Sequence, residues 1–445
     1  MSNALANLAL PLVSIITGPL LARTLGVDGR GVVAAVVAPL VLAAWVFQLG
    51  MTDALVYFVA RREVSLRSAI RIACEAGAVL GVVAAATVAL IAPLLLRDAP
   101  ESITLVRMLS LSLPLVLIAV FLRSVVQGRE RFNILVRERV ALALGRLVLL
   151  VLLAVAGVLT VVTASVVTAL VPLAAALALA PALRLRPAER EVSGPASAPS
   201  LQQSRRRALS YGLRSGVGHT AGALTQRLDQ VLLAPLAGVA ELGLYVVAVA
   251  LAEIPLFAIN AVSDIIYARS TAQDDPAMLA RALRCLTVVA VPTAAVGIAT
   301  TPVLLPLLFG RDFAAAVPLA QLLFLGSMVA GSRLLLTTGL LSLGRPGLRS
   351  VIQISGVVLT AVGLVVLIPP YGALGAATAM LISQVLTAAA YLMVFSRLSG
   401  IAIRVCLVPQ KKDFRDVWQL ARQRLRPLLP LRRTQQAPSG EDVDA

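Results

Sequence analysis

A stripe of polar residues occurs in an otherwise apolar segment in the middle of the chain. Its members, Ser215, His219, Gln226, Asp229 and Gln230, are spaced as i, i+4, i+11, i+14 and i+15. At about 100° per residue, these positions lie within roughly 100° of one helix face. Lipid cannot satisfy such a face, so we expect it to contact protein or water.

The same stripe occurs at the start of the chain. Asn3, Asn7, Ser14, Thr17 and Gly18 each precede their counterpart by 212 positions. Three further pairs of segments match in order at nearly the same offset: 26–31 with 238–243, 94–98 with 308–312, and 127–129 with 343–345. Four ordered matches at an almost fixed offset predict two homologous halves.

The composition places both halves in a membrane. Hydrophobic residues make up 59% of the 445 residues, whereas an ordinary soluble domain has about half. Runs of about 20 apolar residues recur, which is the length that crosses a bilayer as a helix. Twelve spans are predicted, near 3–23, 31–59, 72–96, 103–127, 134–157, 160–183, 209–234, 240–266, 283–308, 316–342, 349–369 and 373–396.

Charge is distributed unevenly between alternate loops. One set holds most of the arginines, among them Arg61, Arg62, Arg129 and the run 205–207, whereas the other holds little beyond Arg23, Arg30, Arg97 and Arg311. The positive-inside rule makes the basic set cytoplasmic. We therefore predict a multi-pass protein of the cytoplasmic (inner) membrane with both termini inside. The formal charge of +17 does not indicate nucleic-acid binding, because no soluble basic domain is present.

Four regions follow from this pattern. Residues 1–183 form an N-terminal six-helix lobe, 184–207 a basic cytoplasmic linker, 208–397 a C-terminal six-helix lobe, and 398–445 a cytoplasmic tail. The linker is rich in Pro, Ser and Arg, as expected of a flexible connector. In the tail, Phe414, Val417, Trp418, Ala421 and Leu425 share one helix face. We expect this helix to lie on the inner membrane surface.

No catalytic constellation is present in the sequence. The three cysteines are scattered and the only histidine is His219, so no metal site is predicted. The phosphate-binding pattern Gly-x4-Gly-Lys-Ser/Thr is also absent. We therefore predict a protein that is not an enzyme and has no cofactor.

Polar and charged residues within the spans are the candidate site. Arg227 and Asp229 are two residues apart, so they point away from each other on one helix and each needs another partner. Such residues either contact substrate or hold the lobes together through ion pairs, and the sequence leaves both roles open. We expect a cavity between predicted spans 1 and 7. Its candidate residues are Asn7, Ser14, His219, Gln226, Arg227, Asp229, Gln230, Glu253, Asn260 and Arg333.

Several motifs resemble those of lipid-linked oligosaccharide and polysaccharide flippases of the MOP exporter superfamily. They are Leu21-Ala22-Arg23-Thr24-Leu25-Gly26, Arg227-Leu228-Asp229-Gln230 with Glu241-Leu242-Gly243, Leu308-Phe309-Gly310-Arg311-Asp312, and the segment 367–377. The resemblance covers about residues 1–400. It implies two six-helix bundles around a central cavity, alternating access and a polyprenyl-diphosphate-linked glycan as substrate. It also implies contact with membrane lipids and with glycan polymerase machinery, and it adds Arg23 to the candidates.

Other functions remain as alternatives. A drug/cation antiporter of the same superfamily usually has a carboxylate in span 1, where this chain has Thr17. A peptidoglycan-precursor flippase would have more arginines in its first two spans. A major-facilitator transporter would have the loop Gly-x3-Asp-Arg-x-Gly-Arg-Arg, which is missing. A glycan polymerase or ligase would need a long outer loop with active residues.

The predicted topology can be tested by thiol labelling. In a variant without the native cysteines, a single cysteine in the 184–207 linker and one at Ala237 should be modified from opposite sides of the membrane. Labelling of both by an impermeant reagent added outside spheroplasts would contradict the twelve-span topology.

Overall fold

The computed structural model describes residues 2–183, 201–254, 256, 276–342 and 345–415. Within these ranges, side chains are described from Val13 onward, apart from residues 201–204, 208, 213–215, 217–219, 276, 338, 341, 342 and 346. These parts of the chain form α-helices, short 3-10 helices and loops, with no strand. The predicted all-helical class is thereby confirmed.

The helices follow the predicted spans closely. The first half contains α1 (Ser2–Val46), α2 (Met51–Ala60), α3 (Leu66–Leu95), α4 (Ile103–Ser110), α5 (Leu113–Gly128), α6 (Phe132–Val155), α7 (Val161–Ala176) and α8 (Ala180–Leu183). The second half contains α9 (Leu201–Ala237), α10 (Val239–Ala252), α11 (Pro276–Phe309), α12 (Val317–Ser342), α13 (Pro346–Ser399) and α14 (Ile403–Leu407).

Helix α13 folds back on itself at a glycine. Its 54 residues would extend about 80 Å as a straight helix, far beyond the ~30 Å of a hydrocarbon core. The helical geometry breaks at Gly372. The Tyr391 hydroxyl donates to the Arg349 carbonyl over 3.0 Å, and the hydroxyls of Thr360 and Ser383 are 2.5 Å apart. The two segments of α13 are therefore an antiparallel pair of spans.

Helix α1 also contains two spans. It has 45 residues, and Gly26 interrupts the helical geometry with φ 70° and ψ −173°. By length and composition, six helices among the described residues can cross a membrane, or seven if the bent pair Pro100–Ser110 and Leu113–Gly128 counts as one span. Both glycine-divided helices are among the six. Because each of these supplies two spans, this count is a lower bound on the number of membrane crossings.

The turns between spans repeat in the two halves. Gly26 and Gly238 are 212 positions apart and have φ values of 70° and 93°. Gly157 and Gly372 are 215 positions apart and have φ values of 70° and 56°. Residues with a β-carbon rarely adopt these angles. The sequence repeat is therefore also a repeat of backbone geometry.

The two halves contact each other through their backbones. A methyl group on Gly31 would overlap the carbonyl oxygen of Val239, and one on Gly243 would overlap that of Val27. These residues are counterparts at an offset of 212. Each half thus makes the same contact with the other, as expected for two repeats related by a twofold axis.

The bundle has two distinguishable ends. We call the end with Gly26, Gly157, Gly238 and Gly372 the turn end. At the opposite end, which we call the arginine end, the Tyr57 and Tyr211 rings stack with centroids 5.0 Å apart. Arg205 lies 3.8 Å from the Glu75 carboxylate there. The loops that the sequence predicts to be cytoplasmic therefore lie together.

The two halves also pack closely at the arginine end. A methyl group on Gly212 or Gly216 of α9 would lie 2.5–3.3 Å from the backbone of Leu49, Gly50 or Met51, between α1 and α2. Backbone contacts thus join the halves near both ends.

The segment after α13 is fixed by a buried ion pair. Arg284 of α11 donates from Nε to Asp413 Oδ2 over 2.8 Å and from a terminal nitrogen to the Val405 carbonyl over 2.6 Å. Arg284 is 4% exposed and Asp413 is fully buried. Burial alone would raise the pKa of Asp413, but hydrogen bonds from Arg284 and the Gln410 backbone N–H lower it below its usual value. The carboxylate therefore stays ionised at neutral pH.

The predicted amphipathic tail helix falls mostly outside the described residues. Phe414 is described, and its side chain is 57% exposed. Val417, Trp418, Ala421 and Leu425 lie beyond Arg415, where the description ends. Surface binding of this helix remains a prediction.

We predict that Asp413→Ala destabilises the C-terminal half by about 3–5 kcal/mol, because the substitution leaves the Arg284 guanidinium buried without its partner. Thermal unfolding of the purified protein in detergent would measure the loss. Phe414→Ala, at the exposed neighbouring position, is the matched control and should shift unfolding little. Equal melting temperatures for the two variants would show that the pair does not hold the segment.

Candidate functional site

A polar cluster lies where α9 and α10 meet the first half. We call it the interlobe cluster, and its members are Trp45, Arg227, Asp229, Tyr245 and Glu253. Arg227 and Asp229 are on α9, Tyr245 is on α10, Glu253 follows α10 directly, and Trp45 is near the end of α1. The cluster therefore joins residues from both halves.

Asp229 is held inside the cluster. Its carboxylate is 4% exposed. It accepts a hydrogen bond of 2.6 Å from the Tyr245 hydroxyl and one of 2.8 Å from the Gln230 backbone N–H. Tyr245 is completely buried. This geometry anchors α9 to α10 and gives Asp229 the features of a positioning residue.

Arg227 is held much more loosely. Its guanidinium lies 3.8 Å from the Glu253 carboxylate, and the two side chains are 28% and 41% exposed. It also lies 6.0 Å from the centroid of the Trp45 ring, at the outer limit of a cation–π contact. A partly exposed pair of this kind contributes at most about 1 kcal/mol. Arg227 is therefore a weakly compensated cation.

The two polar stripes have the same pattern of burial. Ser14 and its counterpart Gln226 are exposed, whereas Thr17 and its counterpart Asp229 are buried. Gln230 is also buried, at 7% exposure. The side chains of Asn7 and His219, and the whole of Asn260, lie outside the described residues.

Arg23 lies at the turn end, away from the cluster. It donates from Nε to the Leu308 carbonyl over 2.9 Å and from a terminal nitrogen to the Leu307 carbonyl. These carbonyls belong to the last turn of α11, where the helix has no partners of its own for them. In this conformation Arg23 joins the two halves.

Arg333 belongs to a separate pocket within the second half. It donates to Gln353 Oε1 over 3.3 Å, and the Gln353 amide donates to the Thr225 hydroxyl over 3.3 Å. The cavity has a volume of about 10 Å³, which is room for about one water molecule. Its lining consists of Thr225, Arg333, Gln353, Gly356, Thr360, Met380, Ser383, Gln384 and Thr387. The pocket is too small for a glycan.

Sequence reasoning missed two members of the interlobe cluster. Tyr245 was not among the candidates, because a tyrosine 16 positions after Asp229 on the next helix shows no pairing in the sequence. Trp45 carried no signal, because a tryptophan in an apolar span is ordinary. Among the described residues, no three His, Cys, Asp or Glu side chains form a group that could bind a metal.

Comparison with known proteins places this arrangement in a family. A family model described as polysaccharide biosynthesis protein matches residues 1–266, which is more than half of the chain. A search of the curated proteins found no match.

Solved structures of the same fold cover nearly the whole chain. The lipid II flippase MurJ in an inward closed conformation has a TM-score of 0.72 at 12% identity, covering 96% of this chain and 99% of MurJ. An inward-facing multidrug resistance MATE transporter of the MOP superfamily has a TM-score of 0.63 at 15% identity, covering 90% and 99%. A MOP superfamily transporter from Pyrococcus furiosus, described as having a binding pocket of reverse polarity, has a TM-score of 0.56 at 15% identity, covering 89% and 96%.

At this level of identity the matches establish the fold. It is the twelve-helix, two-lobe fold of the MOP superfamily, as the sequence predicted. The chain belongs to the polysaccharide biosynthesis protein family, and it is a multi-pass membrane protein with the fold of MOP superfamily transporters and flippases.

Proposed function

We propose that the chain flips a polyprenyl-diphosphate-linked oligosaccharide across the bacterial cytoplasmic membrane for surface polysaccharide export. The observation that carries this proposal is the position of Arg227. It is a loosely paired cation between the two halves of a chain from the polysaccharide biosynthesis family.

The chemistry of the substrate suits this position. A diphosphate in a membrane needs a cation, and a guanidinium binds phosphate oxygens through two parallel hydrogen bonds. The contact of Arg227 with Glu253 is long and partly exposed, so a diphosphate can replace it at little cost. Trp45 offers an aromatic face from the other half, suited to the apolar face of a sugar ring.

Transport then follows from the contacts at the two ends. In this proposal the cluster opens toward the arginine end when the contacts of Gly212 and Gly216 separate while those of Gly31 and Gly243 stay closed. When the contacts of Gly212 and Gly216 close instead, the cluster opens toward the turn end. In this proposal the turn end is extracytoplasmic, in agreement with the positive-inside prediction, and the lobes are residues 1–183 and 208–397, joined by the 184–207 linker.

A second candidate is the flipping of a peptidoglycan precursor. The observation that favours it is the similarity to the lipid II flippase MurJ over 96% of this chain. The two substrates share the polyprenyl diphosphate and differ in the attached sugars, so Arg227 would act in the same way on either. A drug/cation antiporter would instead carry a cation, for which a loosely held arginine is unsuited.

We predict that Arg227→Ala lowers flipping at least about tenfold, because removal of a bidentate contact to a charged group costs about 1.5–3 kcal/mol. Arg227→Lys should recover only part of the rate, since a point charge replaces a planar fork. Flipping would be measured in proteoliposomes as protection of a fluorescent polyprenyl-diphosphate sugar from dithionite. Arg311→Ala, which removes an exposed arginine at the turn end, is the control.

Parallel assays with a fluorescent oligosaccharide lipid, fluorescent lipid II and a cationic dye separate the candidate functions. Faster flipping of the oligosaccharide lipid supports the proposal, and faster flipping of lipid II supports the second candidate. Transport of the dye alone, or flipping that Arg227→Ala leaves unchanged, would overturn both.

We predict a different outcome for the buried pair of Asp229 and Tyr245. Tyr245→Phe removes the hydrogen bond to a buried carboxylate and should lower stability by about 1–3 kcal/mol. Flipping per folded molecule should change little, because Asp229 positions α9 and does not contact substrate in this proposal. Thermal unfolding and the proteoliposome assay would be run on the same preparation. A large loss of flipping at unchanged stability would instead make Asp229 a substrate contact.

A further inference from the structure

Arg30 and Arg146, both in the first half, have no acidic partner among the described residues. Arg30 lies in α1 just after the Gly26 turn, and Arg146 lies in α6. The Nε atoms of both are buried, and neither has a hydrogen-bond partner among the described residues. Arg146 is close enough to act electrostatically on Arg30.

The helices that carry the arginines pack together with a third helix that holds a buried hydroxyl. Val33 of α1, Leu150 of α6 and Ala164 of α7 belong to one buried cluster. Val33 lies three positions after Arg30, and Leu150 lies four after Arg146. Ala164 directly precedes Ser165. Ser165 is completely buried, and its hydroxyl also lacks a partner among the described residues.

No carboxylate of the three helices neutralises this group. The sequence of α1, α6 and α7 contains two acids, Asp28 and Glu138. Asp28 is exposed, and Glu138 lies 3.5 Å from Arg123. Two cations held together in a membrane lobe are unfavourable unless an anion lies between them or beside them.

Arg30 lies far from Trp45 of the interlobe cluster. Arg30 and Trp45 are 15 positions apart along a continuous part of α1, which corresponds to about 22 Å. An anion at Arg30 is therefore not the diphosphate that Arg227 would bind at the same time. The site needs an occupant of its own.

We propose that Arg30, Arg146 and Ser165 form a binding site for a phosphate group within the N-terminal half, near the turn end. Guanidinium groups bind phosphate bidentately, and a serine hydroxyl supplies a further donor. The phosphate is either free in solution or part of an anionic lipid headgroup, because both present the same oxygens. This site is independent of the proposed function.

The test is thermal unfolding of the purified full-length protein in detergent, at constant ionic strength. Sodium phosphate replaces sodium gluconate stepwise, and melting should rise in a saturable way because a ligand of the folded state stabilises it. A parallel series in nanodiscs compares phosphatidic acid with phosphatidylcholine. A shift with inorganic phosphate indicates a free anion, and a shift with phosphatidic acid alone indicates a lipid phosphate.

Two arginines on consecutive helices, Arg123 of α5 and Arg146 of α6, provide matched variants. Arg146→Met should abolish the phosphate-dependent shift without lowering melting in gluconate, because it removes an uncompensated charge. Arg123→Met should lower melting in gluconate, because it leaves Glu138 buried without its partner. It should keep the phosphate-dependent shift, because it leaves the site intact.

If Arg146→Met does not fold, Ser165→Ala decides the question, because it changes no charge. It should weaken phosphate binding about tenfold. Absence of any shift in the wild type, or a shift that persists in Arg146→Met or is unchanged in Ser165→Ala, would overturn the proposal.

Discussion

The backbone contacts at Gly31 and Gly243 determine how the two halves meet. In a membrane, water does not drive helices together, so association depends on close packing at small residues. Each glycine allows the carbonyl of the opposite half to approach where any β-carbon would overlap it. Because the contact is made twice, it sets both the distance and the relative orientation of α1 and α10. The proximity of Trp45 to Arg227 and that of Arg23 to the end of α11 both depend on this arrangement.

The intramembrane arginines differ in how they are compensated. Arg284 has a buried carboxylate in hydrogen-bonding contact, and Arg227 has a partly exposed one at 3.8 Å. The first arrangement is costly to break and suits a structural role, whereas the second is easily exchanged and suits a ligand. Arg333 donates to the amide oxygen of Gln353 instead of to a carboxylate. The degree of compensation therefore separates positions that composition alone treats as equivalent.

Much of the fold could be predicted from the sequence. The offset of 212 pairs Gly26 with Gly238 and Gly31 with Gly243, because a repeated turn and a repeated close approach need the same residue at the same place. The helices and their order follow from apolar length. The pairing of the halves by backbone contact could not be predicted, since it depends on which faces of α1 and α10 meet.

The candidate site was less predictable. The sequence singled out Arg227, Asp229 and Glu253 but neither their pairing nor Tyr245, because spacing on one helix carries no information about the facing helix. Asp413 is a harder case. It follows two lysines in a polar segment and has the sequence context of a solvated residue, yet it is fully buried against Arg284. A contact across 129 positions leaves no local signal.

That separation also has a consequence for biosynthesis. At about 5–20 residues per second, a ribosome needs on the order of ten seconds to pass from Arg284 to Asp413. During this interval α11 enters the membrane with its arginine unneutralised, so its insertion relies on the apolar residues that follow. Val405 and Asp413 reach Arg284 only after every span has been made. Docking of residues 400–413 therefore cannot precede synthesis of the last span, and the C-terminal half gains the stability of this contact only after its helices have been translated.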